Sequence, residues 1–427
     1  MGSTISEKIL ASHAGVSQVK AGDVVVCNVD FAMVTDTRAG NAMQVMKKLD
    51  KPSLNFAKNT AMVLDHYSPP PHEEAAQTHQ LMRNFSKQAG THLYDIGDGI
   101  CHQVLPEGGH LTSGNLIVGT DTHSTTYGAF NAFGTGIEGS DVVGVMASGK
   151  IWLRAPETVK VHLDGQLQPG VWAKDITLQM LGKFKAEGLN YKAIEYVGSA
   201  VSAMDIDDRM TLCNHAAELG AKAAILEADQ KTIDWLHAHG AQTPQPVFAD
   251  ADAHYEQEFR MNISDLVPQV ARKHAVDDIV GVNEIVQQKI QFALIGTCTN
   301  GRLDDIRQAA AILKGKKIAA GVRMIITPAS RQIYLAALRE GLIEIFTMAG
   351  ASFEAAGCGT CVGITNHLVP GDHEVVISTA NRNFKGRLVN PNADIWLGSA
   401  ATVAASALTG FITDPRTIEG GSWRAVA

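Results

Sequence analysis

"QFALIGTCTNGR" (residues 291–302) opens on an unbroken apolar run and closes on a small polar loop. Residues 292–295 offer no polar position to turn toward water. The run therefore reads as a strand buried on both faces, as parallel sheets require. The same order recurs along the chain. "NLIV" (115–118) runs into "GTDTHS" (119–124), and "VVIS" (375–378) runs into "TANRNFKGR" (379–387). "DVVVCNV" (23–29), "VKVHL" (159–163), "AAILEAD" (223–229) and "RMIITPA" (323–329) also read as strands. Between them, "DDIRQAAAILKG" (304–315) and "SRQIYLAALREGL" (330–342) carry apolar residues at helical spacing. Strands alternating with helices predict an α/β fold with largely parallel sheets. Ligands in such folds gather at the carboxyl ends of strands. Three polar motifs after three strands thus predict one composite site at domain junctions.

A chain of 427 residues is too long for one ordinary core and suggests about three domains. The expected limits are 1–155, 156–265 and 266–427, near "RAPET" (154–158) and the polar stretch at 249–265. The formal net charge of -8 argues against nucleic acid as a partner, which calls for a basic face. No apolar run approaches the roughly 18 residues of a membrane span. The amino terminus lacks the apolar core of a signal peptide. A cytoplasmic protein with no membrane attachment is expected.

Two of the six cysteines stand in "GCGTC" (357–361). The C-x-x-C spacing of Cys358 and Cys361 suits a disulfide, half a zinc site, a thiol redox couple or an iron–sulfur ligand pair. Six cysteines are sparse for this length, which disfavours a disulfide scaffold. Cys298, in the loop after residues 292–295, extends the pair to a three-thiolate set. Structural zinc and electron-transfer clusters usually take four ligands. Three on a four-iron cubane leave one iron open as a Lewis acid. Cys27 and Cys213 read as inert core thiols. Cys101, beside His102, is expected near the site without being a ligand.

Histidines and carboxylates form a second constellation: Asp65 and His66 in "VLDHYSP" (63–69), His102 in "GICHQVLPE" (99–107), Asp121 and His123 in "GTDTHS", and Glu195 in "AIEYVG" (193–198). A carboxylate beside an imidazole orients it and raises its proton affinity. Such pairs suit proton delivery to a leaving hydroxyl. Arg382 and Arg387, in a loop after a strand, suit a bidentate clamp on a carboxylate.

Taken in order, "DH…P", "GICHQ", "GTDTHS", "EYVG", "IGTCTNGR", "GCGTCVG" and "NRNFKGR" resemble the aconitase superfamily. The nearest likeness is to the large subunits of its isopropylmalate dehydratase, homoaconitase and dimethylmalate dehydratase group. The resemblance implies three α/β domains around one 4Fe-4S cluster per subunit. Cys298, Cys358 and Cys361 would be its ligands, with one iron not ligated by protein. It pairs Asp65 with His66, Asp121 with His102, and Glu195 with His123. It places Thr122, Asn381, Arg382 and Arg387 at the substrate, and Thr35 where many relatives have His or Gln near the substrate. The swivel domain of single-chain aconitases has no counterpart here, which implies a small partner subunit that supplies a catalytic serine. The implied activity is dehydration or isomerisation of a 2- or 3-hydroxy di- or tricarboxylate, with His66 donating the proton to the leaving hydroxyl. The competing classes are an iron-responsive RNA-binding regulator and a non-catalytic zinc or electron-transfer module. The acidic charge weighs against the first.

Overall fold

In the computed structural model, which describes residues 2–49, 53–241, 243–362 and 369–419, Phe292–Ile295 is a strand with all four residues buried. It lies in a seven-stranded sheet. The order is Ile279–Gly281, Gln269–Ala271, Asp394–Leu397, Val375–Ser378, Phe292–Ile295, Arg323–Ile326 and Ser352–Phe353. The last five strands run parallel, and Gln269–Ala271 is antiparallel to both its neighbours. The last residues of the chain, 420–427, and Gly363 of "GCGTCVG" lie outside the described residues.

Two more parallel sheets complete the frame. His92–Tyr94, Thr60–Val63, Phe31–Thr35, Leu116–Gly119 and Phe133–Gly136 form one, in that order. Ala223–Leu226, Ala193–Val197, Thr158–Asp164 and Gln257–Asn262 form the other. Each sheet draws its strands from a single stretch of chain. A continuous buried core of Val, Ile, Leu and Ala side chains runs through all three stretches.

"DVVVCNV" departs from the parallel expectation. Val24–Asn28 pairs antiparallel with Lys150–Arg154, with Val26 opposite Trp152. Cys27, Ile151 and Leu153 are buried, Val25 is half-buried and the residues between them are exposed, so the ladder covers the core with one face.

The helices follow from local chemistry. Ser330 begins Arg331–Arg339 by accepting the Ile333 N–H at 3.2 Å, a cap that stabilises a helix by about 1 kcal/mol. Leu303–Leu313 packs on Ala400–Thr409, which rests on Phe292–Ile295. None of the described helices is long and apolar enough to cross a membrane.

The strand ends carry the polar motifs. After Phe292–Ile295 the chain turns at Gly296, φ 146°, where a Cβ would sit 2.6 Å from the Thr327 carbonyl. Only glycine fits there. Thr297 then takes left-handed backbone, φ 70°, uncommon for a β-branched residue, and delivers Cys298. Arg302, fully buried, holds this turn by donating to the carbonyls of Cys298, at 2.7 Å, and Thr299.

Candidate active site

Strand ends from two sheets meet at one cavity of about 330 Å³. Thr60–Val63 leads to His66, Leu116–Gly119 to Asp121, Thr122 and His123, Phe292–Ile295 to Cys298, and Val375–Ser378 to Arg382 and Arg387. Cys358 and Cys361 reach the same cavity, as does His102 from the first turn of Cys101–Glu107.

The three thiols are buried and free, so Cys358 and Cys361 form no disulfide. The Cys358 N–H donates to the Asp65 carbonyl at 2.9 Å, which ties the cysteine loop to the histidine loop. Arg387 donates to the Cys361 carbonyl at 2.8 Å and to its sulfur at 3.3 Å. Asn381 Nδ2 lies 3.9 Å from the Cys298 sulfur. A hydrogen bond from Cys358, with Arg387 beside it, holds the Cys361 thiol well below its usual range. Burial pushes Cys298 up to about 12. Three soft sulfur donors with N–H groups aimed at two of them suit an iron–sulfur group. Hard and nitrogen donors stand close by. His102, His123 and Cys298 offer atoms within 4.8 Å of one another, as do Asp36, Asp65 and His66.

Asp65 and His66 meet at 2.7 Å through Nδ1. The second oxygen of Asp65 accepts the Cys101 N–H at 2.8 Å, and Cys101 itself stays buried behind the wall. Asp36 fixes the same loop from below. It accepts the backbone N–H groups of His66 (3.2 Å) and Tyr67 (2.9 Å) and bonds His79 Nε2 at 3.0 Å. His66 Nε2 lies 3.4 Å from Asp121. Asp121 is the hub. One of its oxygens bonds His102 Nε2 at 2.7 Å and accepts the His123 N–H at 2.8 Å. Burial opposes its charge, but bonds from His102, His123 and His66 hold it well below the usual carboxylate range. Burial likewise opposes charge on His66. The neighbouring Asp65 charge and bonds to Asp121 and Asp65 outweigh it and raise the imidazole well above its usual range. For His102, burial wins and the imidazole is lowered.

The expected pairing of Glu195 with His123 is not found. Glu195 is buried in Ala193–Val197 and accepts the Ile5 N–H and the Tyr255 hydroxyl, each at 2.7 Å. It anchors the first helix, Ile5–Ala14, and does not line the cavity. His123 Nε2 instead bonds Glu218 at 2.8 Å. Arg382 Nε contacts both Glu218 oxygens, at 2.9 and 3.0 Å, and the carboxyl falls to about 2 because the bond from His123 and the His123 and Arg382 charges outweigh burial. Asn214 was also not foreseen. Its side-chain oxygen accepts from Thr299 (3.0 Å) and Asn381 (2.8 Å), behind Cys298. Asn214 and Glu218 stand four apart in "NHAAE" (214–218), one face of a helical run, and that spacing was the available signal.

Thr35 is also displaced from its expected role. It is fully buried, and its hydroxyl bonds Thr37 at 2.9 Å. Helix Asp36–Lys48 starts at the next residue, and its first turn brings Thr37 and Arg38 to the cavity instead. Asn381 lies behind the wall, bonded to Asn214 and to the Thr299 hydroxyl.

Parallel α/β sheets with three thiols and a histidine–carboxylate network at their joined strand ends define a protein of the aconitase type. The model of the aconitase family (aconitate hydratase) matches residues 7–292 and 282–410. The 3-isopropylmalate dehydratase large subunit 1 of Methanopyrus kandleri is 42% identical over 418 residues, 97% of this chain and 99% of its own. The 3-isopropylmalate dehydratase large subunit of Elusimicrobium minutum is 44% identical, covering 98% of this chain and 100% of its own. The probable methanogen homoaconitase large subunit of Methanosarcina mazei is 44% identical, covering 92% and 100%. The crystal structure of Thermococcus kodakaraensis aconitase X, at 12% identity and a TM-score of 0.51 over 88% of each chain, shares the fold. The chain belongs to the aconitase family, in its branch of 3-isopropylmalate dehydratase and homoaconitase large subunits.

Proposed function

We propose that this chain is the cluster-bearing large subunit of a hydro-lyase that dehydrates or isomerises a 2- or 3-hydroxy di- or tricarboxylate. The observation that carries the reading is the convergence of three free thiols, the Asp65–His66–Asp121 network and two arginines on one cavity. Cys298, Cys358 and Cys361 would hold one 4Fe-4S cluster, with one iron free of protein ligands. When bound, the cluster supplies a Lewis acid for the substrate's hydroxyl and adjacent carboxylate.

The chain's own residues do the rest. Asp65 fixes His66 through Nδ1 and leaves Nε2 toward the cavity. His66 donates a proton as the C–O bond breaks, and the hydroxyl leaves as water. The proton on the neighbouring carbon goes to a base, and its electron pair closes the double bond. That base is a serine of a small partner subunit; the naming of the relatives as large subunits supports the existence of such a partner. Arg382 and Arg387 each keep N–H donors beyond those given to Glu218 and Cys361, and these hold the substrate's carboxylates with Thr122. The three sheet-bearing stretches act as domains with limits near 155 and 265.

The test is to load the chain with iron and sulfide anaerobically, alone and with a small subunit, and to follow the ultraviolet absorbance of the unsaturated acid. The chain alone should hold the cluster and turn over negligibly, and the partner should restore activity. Full activity from the chain alone would place the base within it and overturn the two-subunit reading.

A further inference from the structure

The cavity has two ends. Its inner wall carries the cysteines, and both arginines there are engaged, Arg387 with Cys361 and Arg382 with Glu218. Its outer end continues into a surface groove of about 450 Å³, which shares Arg38, Thr120, Asp121 and Thr122 with it. Arg38 stands at this junction, exposed, on the first turn of Asp36–Lys48. Among the described residues its guanidinium has no hydrogen-bond or ion-pair partner. The other charged groups of the groove are placed otherwise. Asp141 accepts the Glu138 N–H at 3.3 Å, and both carboxylates cap helix Gly139–Ser148. Lys222 donates to the Gly136 carbonyl at 3.0 Å. The Tyr67 phenol is on the same cavity wall and within electrostatic reach of Arg38.

We propose that Arg38 binds a carboxylate on the end of the substrate remote from the cysteines, so that the substrate carries a third carboxylate on that arm. This rests on the hydroxy-acid reading above. The inner arginines serve the carboxylates of the reacting head. An arm long enough to reach the mouth then meets a planar fork of donors, the geometry that fits a carboxylate. An apolar arm would meet the same charge with nothing to pair it, and closing the mouth over both would desolvate that charge without compensation.

The test uses the cluster-loaded chain with its small subunit and two saturated acids that cannot dehydrate. Carboxymethylsuccinate has a charged arm and isopropylsuccinate an apolar one. Calorimetry gives the dissociation constant of each for the parent, Arg38→Ala and Arg38→Lys. The parent should prefer carboxymethylsuccinate. Arg38→Ala should weaken that acid about tenfold or more, the scale of a lost charge-assisted pair, and leave isopropylsuccinate within about twofold. Arg38→Lys should recover part of the loss. A parent that prefers isopropylsuccinate, or a variant that shifts neither acid or both alike, overturns the inference and leaves the hydro-lyase reading standing. Looser association of the two subunits in the variants, with both acids weakened together, also overturns it, because Arg38 would then be pairing with the partner. Binding of neither acid to the parent would remove the hydroxy-acid reading and the inference with it.

Discussion

His123 Nε2 lies 2.8 Å from Glu218 Oε1, although 95 residues separate them. Glu218 also receives Arg382, so one carboxylate joins loops from all three sheet-bearing stretches.

The first prediction separates Glu218 from Glu195. Glu218→Gln keeps the shape but leaves His123 and Arg382 facing an amide. Misplacing both should cost about a hundredfold in kcat/KM for the reconstituted enzyme, since catalytic geometry tolerates little displacement. Glu195→Gln should stay near parental activity and lose about 1–3 kcal/mol of stability, because the donors at Ile5 and Tyr255 lose a charged acceptor. Steady-state kinetics and urea unfolding of both variants check this. Equal activity losses would return Glu195 to the site.

The second prediction concerns the thiols. Cys298→Ser, Cys358→Ser and Cys361→Ser should each lose the iron and acid-labile sulfide of the anaerobically loaded chain, because two thiolates remain where three are needed. Cys27→Ser should not, since its thiol faces the Leu10 carbonyl in another core. Cys213→Ser should not either, being packed in helix Ile206–His215. Iron and sulfide analysis decides, and zinc in place of iron in the parent would reject the cluster.

How much of this was legible depended on the kind of signal. Phe292–Ile295, Leu116–Gly119 and Val375–Ser378 announce themselves because strands buried on both faces read as near-continuous apolar runs. The motifs after them then fall at strand ends by connectivity alone. Glu218 escaped because it lies in a short turn of helix, Ala216–Leu219, where no strand end marks it. Thr35 came from the resemblance alone, and the helix that starts at Asp36 brings Thr37 and Arg38 to the cavity in its place. The antiparallel pairing of Val24–Asn28 depends on a partner some 125 residues away in the chain, a choice settled by burial of one face and invisible in the run itself.

The third prediction uses Glu107. Burial raises its carboxyl from 4.5 to about 7, outweighing hydrogen bonds from Gln103 and Ser330. The folded chain therefore holds this proton more tightly than the unfolded chain. That advantage is complete below about 4.5 and is lost as pH rises through about 7. Glu107→Gln removes the titration. The variant should gain ~1–3 kcal/mol relative to the parent between about pH 4.5 and about pH 8. Unfolding curves at several pH values test this, and a pH-independent difference would contradict it.

The last prediction concerns Lys174, a fully buried cation behind the site. Its Nζ donates to the carbonyls of Thr379 (3.1 Å) and Ala380 (3.0 Å) and faces His215 Nε2 at 3.3 Å. It anchors the loop that carries Asn381, Arg382 and Arg387. Lys174→Met fills the space but strands two buried carbonyls, each worth about 1–3 kcal/mol. Removing a buried charge returns part of that. The net loss should be about 2–4 kcal/mol at neutral pH, an estimate that combines these two effects. Burial also lowers the ammonium from 10.5 to about 8. The folded chain thus releases this proton before the unfolded chain does, and the parent gains stability as pH rises from about 8 toward 10.5. The gap between parent and Lys174→Met should widen by ~1–3 kcal/mol over that window. Urea unfolding of the metal-free chain at neutral and alkaline pH measures both quantities. A gap that narrows with pH would mean that the lysine stays charged in the fold, held by its two carbonyls despite burial.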